Sequence, residues 1–153
     1  MKKNQRLWHI SCINGHLSYY YMKNYLFDQN SIKKKKILIV DDEISVLKLL
    51  EFILKDEYQP IIKQSAIEAL SSLNSGEIPD LIISDMEMPY FSGVDFVRSL
   101  KTSGYFRNIP VIILSGSDSS ENIKARIPYL INAIMMKPFN PVYLKEAIRT
   151  LIN

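Results

Sequence analysis

Five short runs recur from Lys36 onward, four of them strongly apolar and each of those four cut off by polar residues. Lys36-Ile37-Leu38-Ile39-Val40 stops at Asp41-Asp42-Glu43. Leu81-Ile82-Ile83 stops at Ser84-Asp85, Val111-Ile112-Ile113-Leu114 at Ser115-Gly116, and Ala133-Ile134-Met135-Met136 at Lys137-Pro138. Runs this short, unbroken and rich in β-branched side chains suit strands buried on both faces. Tyr58 to Ile62 reads as a weaker strand, and Pro60 places it at a sheet edge.

Between the runs the apolar period changes to that of a helix. Ile44, Leu47, Leu50 and Leu54 mark the first helix. Ala66, Ala69, Leu70 and Leu73 mark the second, closed by Asn74-Ser75-Gly76, and Val94, Val97 and Leu100 mark the third. Asp118 with Glu121 forms a capping box for a fourth helix through Ile123 and Ile127. Asn140-Pro141 opens a fifth that buries Leu144, Ala147, Ile148 and Leu151. Five strands alternating with five helices predict an α/β fold, with parallel strands, right-handed crossovers and helices on both sheet faces.

Composition narrows the class further. With 153 residues, 47% hydrophobic and 23% charged, the chain is an ordinary globular one and neither disordered nor fibrous. One cysteine, Cys12, allows no internal disulfide, and no run of 18 apolar residues exists to span a bilayer. A cytoplasmic location is expected. The net charge of +3 hides an asymmetry: residues 1–36 carry eight basic side chains and one acid, whereas residues 37–153 carry a net −4.

In an open parallel sheet, ligands bind beyond the carboxyl ends of the strands. Those ends here carry Asp41 and Asp42, Asp85, Ser115 and Lys137. Each alone reads as a turn former, helix cap or solvated side chain; together they define one rim. Clustered carboxylates repel, and a hard divalent cation such as Mg²⁺ relieves that repulsion while leaving sites for phosphoryl oxygens. Glycine amides for binding a nucleotide phosphate are missing after the first strand, so a nucleotide cofactor is not expected. Asp85 can act as a nucleophile toward phosphorus, Lys137 can pair with the resulting acyl phosphate, and Ser115 can donate to a phosphoryl oxygen.

The pieces Ile37–Glu43, Asp85-Met86-Glu87-Met88-Pro89 with Gly93, Leu114-Ser115-Gly116 and Lys137-Pro138-Phe139 resemble, in identity and spacing, the receiver domain of two-component response regulators. The resemblance implies a doubly wound (βα)5, flavodoxin-like three-layer sandwich with strand order 2-1-3-4-5. It implies that Asp85 accepts a phosphoryl group from a histidine kinase or histidine phosphotransfer protein, and that Ser115 and Lys137 contact that group. Mg²⁺ would be held by Asp42, Asp85 and the Glu87 carbonyl, with Asp41 acting directly or through water. It further implies a cis bond before Pro138, and that Glu87 and Ser117 tune dephosphorylation. Two departures stand out: Ile134 occupies the position of a family Tyr or Phe, and Leu130-Ile131-Asn132-Ala133 replaces a Gly-Ala-Asp-like segment. An atypical, greasier surface is expected there.

Residues 37–153 are thus read as the receiver domain and 1–36 as a basic, aromatic-rich extension, its Lys33–Lys36 run a solvated linker. His9, Cys12 and His16 lack the further ligands that zinc requires. With no room for an output domain after the last helix, the expectation is a single-domain regulator, monomeric or weakly dimeric. It would signal by binding a protein or relaying phosphate, with no nucleic-acid or membrane partner and no catalysis beyond its own phosphorylation and dephosphorylation. The competing readings are a phosphorylation-independent scaffold and a haloacid-dehalogenase-like phosphatase. The latter family places a second Asp where Glu87 stands.

Overall fold

A computed structural model describes residues 33–116 and 131–152. The chain divides into two units, Met1–Lys33 and Lys34–Asn153, and every element below belongs to the second. In order these are β1 (Lys36–Val40), α1 (Ile44–Leu54), β2 (Gln59–Lys63), α2 (Ala66–Asn74), β3 (Leu81–Asp85), α3 (Gly93–Thr102), β4 (Val111–Ser115), β5 (Ala133–Met136) and α4 (Pro141–Ile152). All strand pairs are parallel and the order is β2-β1-β3-β4-β5, as expected. Pro60 lies in the edge strand β2, where its missing N–H costs no ladder bond. The expected helix through Ile123 and Ile127 and the tuning residue Ser117 lie outside the described residues, as do Trp8, His9, Cys12, His16 and the tyrosines of the extension.

The two sheet faces are buried by alternate residues of the same strands. Leu38, Val40, Ile82, Val111 and Ile113 pack on one side against Ala69, Leu73, Phe96, Val97 and Leu100 of α2 and α3. Ile37, Ile39, Leu81, Ile83, Ile112 and Leu114 pack on the other against Leu47, Leu50, Leu54, Leu144, Ile148 and Ile152 of α1 and α4. This two-sided burial explains why the runs are uninterruptedly apolar.

Local chemistry fixes the helix starts. Ser65 Oγ accepts the Glu68 N–H at 3.2 Å while Glu68 accepts the Gln64 N–H, and Ser92 Oγ accepts the Asp95 N–H. Asn140 Oδ1 accepts the Val142 N–H at 2.8 Å, with Pro141 in the first helical position. Gly76 follows α2 with φ +93, a left-handed geometry that stops the helix cheaply only for glycine.

One feature differs from the sequence-based expectation. Part of the basic run is not a free linker: the Lys34 ammonium caps the α1 C-terminus by donating to the Lys55 carbonyl at 2.8 Å. The Lys36 N–H donates to Asp80 Oδ2 at 2.7 Å, and Lys35 pairs with the same carboxylate. Asp80 therefore anchors the entry to β1. Around β5, Ile131 and Ile134 are partly buried and pack against the core formed with α2 and α3. Asn132 exchanges bonds with Val111 through its N–H and its side-chain oxygen, setting the start of β5.

Glu57 ties α1 to α4 by accepting from Lys145 and Arg149, each at 2.8 Å. The Lys145 bond foremost, then that of Arg149, holds the Glu57 carboxyl below its ordinary value. Its contribution is therefore present above the unfolded-state value and lost as pH falls through the folded one. Glu57→Gln is expected to lower the denaturation midpoint slightly at neutral pH and low salt. The difference should fade in high salt and on acidification; a difference that persists in both would point to packing.

Candidate functional site

The carboxyl ends of β1 and β3 meet where strand order reverses, and the acids converge there. One carboxylate oxygen each from Asp41, Asp42 and Asp85 lies within 4.8 Å of the others. Asp41 and Asp85 are buried and Asp42 is exposed at the mouth. Among the described residues this is the one grouping of carboxylates able to share a cation. It lies in a cleft of about 350 Å³ lined by Asp41, Asp42, Glu43, Asp85, Glu87, Gly116 and Lys137.

Lys137 reaches this cluster from the end of β5. Its ammonium lies 2.8 Å from Asp41 Oδ2 and 2.7 Å from Asp85 Oδ1. The peptide bond before Pro138 is cis, and the Lys137 N–H donates to the Ser115 carbonyl at 2.7 Å. The other carboxylate oxygens are held by main chain: Asp41 Oδ1 accepts the Glu43 N–H at 2.9 Å, and Asp85 Oδ2 accepts the Glu87 N–H at 3.0 Å. Burial pushes the Asp85 carboxyl above its ordinary value, although Lys137 and the Glu87 N–H pull the other way. For Lys137 burial acts downward, but its bonds to Asp41 and Asp85 outweigh it and the ammonium is held above its ordinary value.

Ser115 completes the rim by position more than by contact. It ends β4 one residue beyond Leu114, the register partner of Asp85. Its hydroxyl is fully buried and has no hydrogen-bond partner among the described residues. An unsatisfied buried hydroxyl costs about 1–3 kcal/mol, so its presence calls for a reason beyond stability. The structure thus joins Asp41, Asp42, Asp85 and Lys137 directly, places Glu87 on the cleft wall, and sets Ser115 on the adjacent strand end.

Sequence reasoning missed Tyr90 and the structural reason for Gly93. Gly93 opens α3 so close to the acceptor strand that an added Cβ would lie 1.9 Å from the Asp85 carbonyl oxygen. Tyr90, fully exposed, sits at φ 65 in the turn closed by the Phe91 N–H on the Pro89 carbonyl at 2.8 Å. A left-handed conformation in a bulky residue costs on the order of 1–3 kcal/mol and recurs in loops that shape sites. Gly93 was visible as part of a motif, but the close approach that demands it was not.

The sequence matches the model of the response regulator receiver domain over residues 37–149. The chain belongs to that family. Over 120 residues this receiver domain is 29% identical to the phosphate regulon transcriptional regulatory protein PhoB of Escherichia coli, covering 78% of this chain and 52% of that protein. It therefore spans about half the length of that relative. It is 24% identical to chemotaxis protein CheY1 of Helicobacter pylori, covering 77% of this chain and 97% of CheY1. Among solved structures, the signal receiver domain of a signal transduction histidine kinase from Syntrophus aciditrophicus superposes with a TM-score of 0.70 at 32% identity. That match covers 77% of this chain and 89% of that one. A receiver domain protein from Clostridium thermocellum gives 0.71 at 30%, covering 78% and 94%. The flavodoxin-like fold and the acidic cluster that could hold a cation are those of the family. Among the described residues no helix is long and apolar enough to cross a membrane.

Proposed function

We propose that this chain is a response regulator whose receiver domain accepts a phosphoryl group on Asp85. The supporting observation is one constellation: two buried carboxylates, Asp41 and Asp85, bridged by the Lys137 ammonium, with Asp42 at the mouth of the same cleft. Oxygen-only donors of this kind suit Mg²⁺, which Asp42, Asp85 and the Glu87 carbonyl would hold, with Asp41 acting directly or through water. When bound, the ion supplies positive charge against the phosphoryl oxygens.

The chain's own residues account for the rest. A carboxylate oxygen of Asp85 attacks phosphorus as the bond from phosphorus to the donor's imidazole nitrogen, or to the acetyl oxygen of acetyl phosphate, breaks. The product is an acyl phosphate, and the electron pair of the broken bond leaves with the donor. The Glu87 N–H holds the second Asp85 oxygen and so orients the attacking one. Lys137 pairs with the new phosphoryl group, and Ser115 offers a hydroxyl that no described residue already occupies.

The donor is a histidine kinase or histidine phosphotransfer protein, and the output is contact with a downstream protein or onward relay, in the cytoplasm. The chain acts on its own phosphoryl group and turns over no other substrate. Incubation with acetyl phosphate and Mg²⁺ should add the mass of one phosphoryl group. Chelation should prevent it, and Asp85→Asn should abolish it while remaining folded by circular dichroism. A wild-type protein that never gains the mass overturns the reading.

A further inference from the structure

The loop that leaves the acceptor strand carries a side chain that neither the fold nor phosphoryl transfer uses. Both roots of this loop rest on Asp85: the Glu87 N–H donates to Asp85 Oδ2 at 3.0 Å, and Gly93 packs directly on the Asp85 carbonyl. The Gly93 N–H closes the loop on the Met86 carbonyl at 3.0 Å. Between the roots, Met88 is buried and Phe91 packs against the core formed with α2 and α3. The Phe91 N–H closes a tight turn on the Pro89 carbonyl, and Ser92 caps α3. The loop is thus fastened on both sides of Tyr90. Tyr90 itself is as exposed as in an unfolded chain and sits at φ 65. Glycine or asparagine takes that left-handed geometry with less strain, so local stability does not account for a tyrosine. Three residues from Gly93, its Cα stands no more than about 11 Å away, at about 3.8 Å per step. Tyr90 is therefore held firmly on the loop that forms the cleft wall at Glu87.

We propose that Tyr90 is the anchor by which this domain engages its protein phosphodonor, packing on the apolar flank of the donor's histidine-bearing segment. The inference rests on Asp85 being the acceptor. The donor's imidazole must then bring its phosphorus against an Asp85 oxygen, and Asp85 is 5% exposed within the cleft. A protein donor reaches it only by covering the mouth, so the exposed residues around the mouth become the contact surface. Apart from Gly116, the described lining there is all charged: Asp41, Asp42, Glu43, Asp85, Glu87 and Lys137. Charged rims steer and orient a partner more than they hold it. Tyr90 adds the large apolar area with a polar tip that interface anchors supply, and the pinned loop orders it before the partner arrives. A small donor such as acetyl phosphate enters the cleft without needing that contact. Tyr90 thus separates protein donors from small ones.

The test compares two donors on the full chain. One is acetyl phosphate; the other is a histidine phosphotransfer protein charged on its imidazole with phosphoramidate, chosen as the fastest donor to the wild type among a panel of such proteins. Tyr90→Asn, which tolerates the left-handed geometry, should raise the KM for the protein donor about tenfold or more and leave kcat nearly unchanged. Tyr90→Phe should keep most of the wild-type affinity. Neither variant should alter the rate with acetyl phosphate or lower the denaturation midpoint. Equal slowing with both donors would make Tyr90 a structural part of the acceptor loop, and an unmoved KM would place it outside the interface; either overturns the proposal. So does a wild type that takes phosphate from acetyl phosphate but from no protein of the panel, or a Tyr90→Asn chain that loses only self-association in sedimentation. Failure of the wild type with acetyl phosphate as well removes the acceptor itself, and the proposal with it.

Discussion

Gly93→Ala is expected to destabilise the domain by about 3 kcal/mol or more, the upper end of the range for an overfilled interior. The added methyl would sit 1.9 Å from the Asp85 carbonyl oxygen, 2.9 Å from its carbonyl carbon and 3.0 Å from the Met86 Cα, all main-chain atoms. No rotamer change relieves such a clash. The Asp85 carbonyl also accepts the Ser84 hydroxyl at 2.9 Å, and the Gly93 N–H donates to the Met86 carbonyl at 3.0 Å. Either α3 retreats and these bonds break, or the Asp85 peptide turns and its carboxylate leaves the cluster. Chemical denaturation should show the lost stability, and the surviving folded fraction should gain phosphoryl mass far more slowly than the wild type. A loss below about 1 kcal/mol would mean that α3 shifts freely and that Gly93 plays no part in positioning the acceptor.

The second large effect belongs to Lys137. Lys137→Met keeps most of the length of the side chain but removes the one cation that, among the described residues, lies within 2.8 Å of both buried carboxylates. Breaking a buried pair by deleting one partner costs about 3–5 kcal/mol, because the remaining charge has no counter-ion. Here two carboxylates are left facing each other. The variant should melt well below the wild type in the presence of a chelator, and millimolar Mg²⁺ should restore much of the difference by supplying the missing charge. Thermal denaturation with and without the metal reads this directly. A midpoint that magnesium leaves unchanged would show that the cluster does not bind the ion. The phosphorylation rate should fall even at saturating metal, since the transferred group then lacks its ammonium partner.

The fold and the site were legible in the sequence for the same reason. Strands buried on both faces must be short and apolar, so the first polar residue after each run marks a strand end. Strand ends are where an open parallel sheet places its chemistry. Asp41, Asp85, Ser115 and Lys137 could therefore be placed without knowing any distance. Contacts that depend on how elements pack were not legible. Glu57 meets Lys145 and Arg149 across 88 and 92 residues, and no local pattern signals such a pairing. The need for Gly93 arises from the depth at which α3 approaches β3, which a motif records but does not explain. Lys34 and Lys36 read as solvent-bound because a charge run usually is; their tethers lie at Lys55 and Asp80. That Ile134, standing where the family carries an aromatic, packs partly buried against the core is likewise a matter of packing.

The buried polar groups of the rim have a wider consequence. Asp41, Asp85 and Ser115 occupy places where their strand neighbours are isoleucine, leucine and valine, and the Ser115 hydroxyl finds no partner there. Heat tolerance and signalling therefore pull this chain in opposite directions. Substitutions that neutralise the rim relieve repulsion and unmet hydrogen bonding at the same stroke that silences the protein. The domain's resistance to unfolding is capped by the chemistry it has to keep.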